Sequence, residues 1–195
     1  MIAKGLDFPN VTLVGIVAAD LSLQVPDYRS VERTFQLITQ VSGRAGRAEH
    51  PGRVILQTYD PEHYGIQLAA RQDYRAFYLQ EVKMRRRGLY PPFTVLARLL
   101  VSSKDEPDAR SVAEEIAGRF NESLSAHDTW QSCVVQTRAL EAPLKILRGE
   151  YRWQVFAKLY NRPEASDIVQ EMERLGHVDH GGVRVELEVN PSAML

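Results

Sequence analysis

The chain has 195 residues, 44% hydrophobic and 25% charged, a balance that suits a globular protein and excludes collagen-like, mucin-like and wholly disordered chains. Its 24 Lys and Arg against 25 Asp and Glu leave a net charge of −1, so there is no chain-wide basic signature for nucleic acid and no acidic tail; an anionic partner must be held by a local patch. The charge is uneven, +3 over residues 1–92 and −4 over residues 93–195, which points to two units.

Cys133 is the single cysteine, so an internal disulfide and a multi-cysteine zinc site are excluded, and it reads as a small buried apolar residue in a reducing compartment. No stretch approaches the roughly 18 to 20 apolar residues of a membrane helix, and no leader with a small-residue cleavage site is evident. The expected location is the cytoplasm, with no membrane partner.

The first residues, Met1 to Gly5, run into an apolar segment with no lead-in element and read like a cut edge. Val11 to Val17 is a continuous β-branched and apolar run, the pattern of a strand buried on both faces of a parallel sheet. A polar loop, Asp20 to Tyr28, comes next. Ser30 is placed to cap a helix carrying Val31, Phe35, Leu37, Ile38 and Val41, and Gly43 to end it. Arg53 to Tyr59 is a second strand. Strand, helix and strand predict a parallel α/β sheet, and two strands are too few to close its core, so further strands are expected upstream.

Residues 61–87 turn helical, in two helices, the second ending in Arg85-Arg86-Arg87, cations that complement a helix carboxyl end. Tyr90-Pro91-Pro92-Phe93 forbids helix and marks a boundary. Beyond it the spacing predicts a strand over 95–101 with Val95, Ala97, Leu99 and Val101 on one face, and a helix from Asp105 to about Ser125. Strands over 133–137 and 152–160, a helix over 163–175 and a strand over 183–189 complete the order βαββαβ. That order predicts a ferredoxin-like α+β domain, an antiparallel sheet with two helices on one face. The division expected is 1–60, a helical connector over 61–93, and 94–195.

The most specific string is Gln40-Val41-Ser42-Gly43-Arg44-Ala45-Gly46-Arg47, which ends a helix and enters a glycine-bearing loop. Two arginines three apart among small residues can present two guanidinium forks to one anion, and arginine suits phosphate because it stays charged and binds bidentately. An arginine reaching a transferring γ-phosphoryl group stabilises the charge that develops there. Some thirty residues earlier, Lys4-Gly5-Leu6-Asp7 delivers a glycine and a carboxylate just ahead of the first strand. Asp7 can accept from a ribose hydroxyl, and the backbone near Gly5 can approach a phosphate.

These two strings resemble the fifth and sixth motifs of superfamily-two helicases, both of the second RecA-like lobe. With MIAKGLDFPNVTLVGIVAAD (1–20), ERTFQLITQVSGRAGR (32–47), QTYDPEH (57–63), YPPF (90–93) and NPSAML (190–195), the chain is similar throughout to the PriA-type replication-restart helicases. The resemblance implies an ATP-driven DNA translocase that unwinds 3′ to 5′ at stalled forks and reloads the replication machinery. It implies a partial RecA-like lobe two, then the family's C-terminal domain, which contributes to binding branched DNA and single-strand-binding protein, with other primosome components as further partners. Gly5 and Asp7 match the fifth motif. Gln40, Arg44 and Arg47 match the sixth, Arg47 as the arginine finger and Arg44 as its γ-phosphate companion.

Departures from the family pattern bear on activity. The P-loop and the acidic metal-binding motif do not occur in these residues, so ATP with Mg²⁺ is a cofactor of the intact protein and this chain alone is expected not to hydrolyse it. The family's zinc-binding cysteines likewise lie upstream. The resemblance makes the sequence a C-terminal part of a longer polypeptide, with Met1 matching an internal methionine.

Candidate DNA contacts are Lys4, the Arg85-Arg86-Arg87 run, and Lys145, Arg148 and Arg152 in a connection between the central strands. On the last of these strands Trp153, Val155, Ala157 and Leu159 suit a core. Arg152, Gln154, Phe156, Lys158 and Tyr160 interleave aromatic and basic groups on the opposite face, which could stack bases and neutralise phosphates. His177 and His180 have no nearby third ligand for a metal. The alternative reading is a free-standing, non-catalytic module that binds DNA or a protein; another superfamily-two helicase fits the early motifs but not YPPF or the C-terminal domain.

Overall fold

A computed structural model describes residues 12–43 and 52–191. The chain is mixed α/β and divides into two compact units between Met84 and Arg85. Among the described residues no helix is long and apolar enough to cross a membrane.

The first unit opens with β1 (Leu13–Ile16), a 3-10 helix (Leu21–Gln24), α1 (Ser30–Ser42) and β2 (Arg53–Leu56), followed by α2 (Tyr64–Ala70) and α3 (Tyr74–Arg87). β1 and β2 pair in parallel from Leu13↔Arg53 to Ile16↔Leu56, the predicted strand, helix, strand unit. Burial on both strand faces is not found: Leu13 is 58% and Ile55 50% exposed. The described sheet has only two short strands, so one face packs on helices and the other meets solvent. Ile16 and Leu56 lie against Phe35, Ile38, Ile66, Ala69 and Phe77. The rings of Phe35 and Phe77 stack with centroids 4.0 Å apart. α1 and α2 come close at Gly65, where an added Cβ would stand 2.7 Å from Val31 Cγ1.

Ser30 proves to be the first helical residue and not the cap. Asp27 does that work: its carboxylate accepts the Arg29 N–H at 2.9 Å and pairs with Arg33 at 3.0 Å, while its carbonyl accepts the Ser30 N–H. Gly43 ends α1 as expected, in a right-handed conformation (φ −67°) that any residue could adopt.

The second unit contains β3 (Thr94–Ser103), α4 (Glu106–Ser125), α5 (Asp128–Cys133), β4 (Val134–Leu147), β5 (Glu150–Tyr160), α6 (Glu164–Gly176) and β6 (Arg184–Val189). The sheet order is β4-β5-β3-β6, every neighbouring pair antiparallel. Alternation decides which face is covered: Ala97, Leu99, Val101, Val155, Ala157 and Leu159 pack with Ile116, Phe120, Ile168 and Met172 of α4 and α6 into one core. α6 ends close against the sheet, since a Cβ on Gly176 would meet Leu99 Cδ2 at 2.9 Å.

Two expectations fail here. Cys133 closes the short helix α5 instead of opening a strand, and β4 continues ten residues past the predicted end, to Leu147. β4 lies at the sheet edge, where Pro143 is tolerated because no ladder needs its missing N–H; the register shifts between Glu141 and Ile146. Consequently the basic segment 145–152 is the tip of a β-hairpin and not a loop. Arg148 (φ 54°) and Gly149 (φ 82°) form its two-residue turn, both left-handed, as a tight hairpin with the strands' own twist requires.

Candidate functional site

Arg44 and Arg47, with Lys4, Gly5 and Asp7, lie outside the described residues; their points of attachment do not. A crossover helix between parallel strands runs from the carboxyl end of the first to the amino end of the second. The stretch before β1 therefore joins the sheet at the same edge as the stretch between α1 and β2, and the Arg53 N–H donates to the Thr12 carbonyl there at 2.8 Å. Gln40 is exposed in the last turn of α1, three residues ahead of Gly43. Open α/β folds usually bind ligands at the carboxyl ends of their strands; Thr12 and Arg53, where the two described strands begin, lie at the amino-end edge.

The opposite edge holds a residue that sequence reasoning passed over. Asp20, 5% exposed, follows β1 and accepts the Tyr59 N–H at 3.2 Å, while the Ala19 N–H donates to the Gln57 carbonyl at 3.0 Å. Burial alone would raise the Asp20 carboxyl, but hydrogen bonds from its own N–H, the Tyr59 N–H and the Thr58 hydroxyl hold it below its ordinary value. Asp20 clasps the far ends of the two strands. The signal was a lone acid directly after an apolar run, ahead of a 3-10 turn.

The basic residues singled out in the second unit are largely engaged. Arg85 donates to the Pro91 carbonyl at 3.5 Å, and the Arg86 guanidinium lies 4.9 Å from the Phe93 ring centroid while the residue stays exposed. Lys145 reaches Glu106 at 2.8 Å and Glu141 at 3.0 Å, and these bonds, Glu106 first, raise its ammonium above the ordinary value. Arg148 is exposed at the hairpin turn. Arg152 is buried, donates to the Leu144 carbonyl at 3.4 Å, and has its pKa lowered by burial and by the Arg98 charge.

The aromatic and basic face of β5 is not an open platform. Gln154 is buried beside Arg152, and Phe156, Lys158 and Tyr160 are half-buried. Lys158 Nζ donates to the Gly88 carbonyl at 3.2 Å, and burial lowers its pKa. The Arg162 guanidinium lies 5.1 Å from the Tyr160 ring centroid. On β3, Arg98 is 2% exposed and pairs with Glu188, its Nε donating at 2.8 Å. His180 Nε2 stands 3.1 Å from the Leu175 carbonyl, and among the described residues no three His, Cys, Asp or Glu side chains are grouped to hold a metal ion.

Fold and surface describe a two-unit α/β protein with cations at the end of one helix and the tip of one hairpin. Across its whole length the chain is 42% identical to the replication restart protein PriA of Bacillus subtilis, and over 98% of its length it is 38% identical to that of Synechocystis. The protein of the same name in Haemophilus influenzae is 33% identical over 98% of the chain. The chain belongs to the PriA family of replication restart proteins. It spans about a quarter of the length of these relatives, 24%, 22% and 25% respectively. No protein-family model matches the chain.

Proposed function

We propose that this chain supplies the later half of the second RecA-like lobe and the C-terminal domain of an ATP-dependent, 3′-to-5′ DNA helicase that restarts stalled replication forks and loads the primosome. The observation that carries the reading is the match of the whole chain to replication restart proteins of several bacteria, joined to the Gln40-to-Arg47 string at the end of a crossover helix. The strand order β4-β5-β3-β6 with two helices on one face supports a ferredoxin-like second unit. The parallel β1–β2 unit supports the RecA-like assignment of the first.

In this account Arg47 is the finger and Arg44 its companion, reaching the γ-phosphate from the second lobe, with Gly5, Asp7 and Gln40 as further nucleotide-binding residues of that lobe. ATP with Mg²⁺, when bound, would supply the phosphoryl group to be transferred to water, and its β- and γ-phosphates would be held by a first lobe that these 195 residues do not contain. The chain alone does not turn over ATP. Zinc belongs to another part of the longer protein. DNA phosphates are met by Lys4, Arg85, Arg86 and Arg148, with Phe156 and Tyr160 at the flank of the sheet. Lys145, Arg152 and Lys158 are spent on internal contacts. Single-strand-binding protein and other primosome components are the protein partners, in the cytoplasm.

The test is strand displacement by the full-length protein on forked duplexes with a single 3′ or 5′ tail. ATP-dependent unwinding from the substrate that permits 3′-to-5′ tracking is expected; displacement without ATP, or of the opposite polarity, overturns the reading.

A further inference from the structure

α1 is held in the first unit in two different ways. Phe35 and Ile38, with Val31 beside them, pack on Ile66, Ala69 and Phe77, and such apolar contacts press the helix to the core more firmly than they fix its rotation. The second hold is directional. Thr34, fully buried on the same face one turn before Ile38, donates its one hydroxyl proton to the Ser30 carbonyl at 2.8 Å. The Ser22 hydroxyl, 2.8 Å from Thr34 Oγ1, is therefore the donor of the bond between them. Ser22 belongs to the 3-10 helix, which is itself tied down: the Leu23 N–H donates to the Asp20 carbonyl at 2.9 Å, and the Asp20 carboxylate accepts the Tyr59 N–H. A chain of hydrogen bonds thus runs from the segment after β2, through Asp20 and the 3-10 helix, into α1.

A buried hydroxyl pair among apolar neighbours adds little net stability, and a threonine bonded back to the preceding turn slightly disfavours its own helix. The best-attested use of such a polar contact is to select one register of packing over its neighbours. Here the register matters at the far end of the helix. Gly43 follows Thr34 by nine residues, about 13 Å along the axis, and the Gln40-to-Arg47 string leaves α1 there. A roll of about 10° moves an atom at the helix's outer radius, about 5 to 6 Å from the axis, by about 1 Å. A misplacement of that size at a reacting group costs about a hundredfold in rate.

We infer that Ser22 and Thr34 are positioning residues for phosphoryl transfer: their hydroxyl pair sets the roll of α1, and with it the point from which the arginine-bearing string departs. The inference rests on the proposed function for the work of Arg44 and Arg47, and adds to it the residues that hold the helix leading into them.

The full-length protein is assayed for DNA-stimulated ATP turnover with Thr34→Val, which keeps the shape and removes the hydroxyl, and with Thr34→Ser, which keeps the hydroxyl and removes a methyl group. Thr34→Val lowers kcat by about tenfold to a hundredfold, while the KM for ATP and the dissociation constant of a non-hydrolysable ATP analogue stay within about twofold of the parent. Thr34→Ser loses thermal stability and yet keeps kcat within about threefold, an order that a merely structural role would reverse. Ser22→Ala matches Thr34→Val, and the double variant falls no further, because either change breaks the same bond. Ile38→Val thins the core beneath α1 without touching the hydroxyls; it lowers Tm and leaves kcat unchanged. Unchanged kcat in Thr34→Val overturns the inference. So do additive losses in the double variant, and so does an equal fall in kcat with Ile38→Val, which assigns the effect to general loosening of the unit. Arg47→Ala beside them separates the two claims. If it leaves turnover intact, the helicase reading falls and the inference with it; if it abolishes turnover while Thr34→Val does not change it, the positioning role alone falls.

Discussion

The ammonium of Lys158 lies 4.1 Å from the centroid of the Tyr90 ring and donates to the carbonyl of Gly88, which fastens the segment leading into β3 to the neighbouring strand β5. Burial lowers the Lys158 pKa, so the contact is made by a cation already partly removed from water. Lys158→Ala is expected to destabilise the second unit by about 1 kcal/mol in urea unfolding, the scale of one cation–π contact and one hydrogen bond. DNA affinity should remain nearly unchanged. A large loss of affinity with unchanged stability would instead make Lys158 a phosphate contact.

Arg98 and Glu188 face each other across β3 and β6 in directly paired positions. Removing the carboxylate takes one charged acceptor from a buried guanidinium, so Glu188→Ala should lower stability by roughly 2 kcal/mol. Glu188→Gln, which keeps an acceptor, should lose less than half of that. Chemical denaturation of the two variants side by side measures the difference; equal losses would mean that the side chain acts through packing alone.

Glu171 links α6 to α4 in the second unit. It accepts the Ser123 hydroxyl at 2.7 Å and two Arg174 N–H groups at 2.7 Å each. The Arg174 bonds, opposed by burial and helped by Ser123, hold its carboxyl below the ordinary value. With the folded pKa depressed, the stability it contributes is complete above the unfolded carboxylate range and is lost as the pH falls through the folded value. Glu171→Gln should therefore reduce stability by about 1 kcal/mol near neutral pH, discounting for the exposed arginine, and by progressively less in acid. A difference that does not shrink as the pH falls contradicts this linkage.

Cys133 is fully buried, its thiol directed at the Tyr160 carbonyl at 3.4 Å, and burial raises its pKa. The thiolate needed for alkylation is disfavoured and shielded. Ellman's reagent should titrate no thiol in the native chain and one on unfolding; rapid native labelling would show that α5 opens readily.

How much of this was legible in the residues varied with the kind of pattern. β3 announced itself because Ala97, Leu99 and Val101 alternate with a second set, and the covered face of β5 was identified correctly for the same reason. The far half of β4 was missed because Glu141, Pro143 and Lys145 break alternation; an edge strand has one unpaired side and tolerates such residues. Ser30 looked like a cap by residue type, yet Asp27, three positions earlier, captured the turn through a longer-range pair with Arg33. The exposure of β1 and β2 could not be read from their apolar content, since burial depends on which other strands cover them. For the proposed nucleotide site, spacing and resemblance picked out Gln40, Arg44 and Arg47, of which Gln40 alone lies among the described residues.

The most direct test of the account is DNA-stimulated ATP turnover by the full-length protein bearing Arg47→Ala, with Arg44→Ala beside it and single-stranded DNA affinity measured on the same preparations. Turnover should fall by about two to three orders of magnitude for Arg47→Ala with DNA binding retained, the range for removing a donor that stabilises developing transition-state charge. Unchanged turnover in both variants would contradict the assignment of this helix end to the nucleotide site.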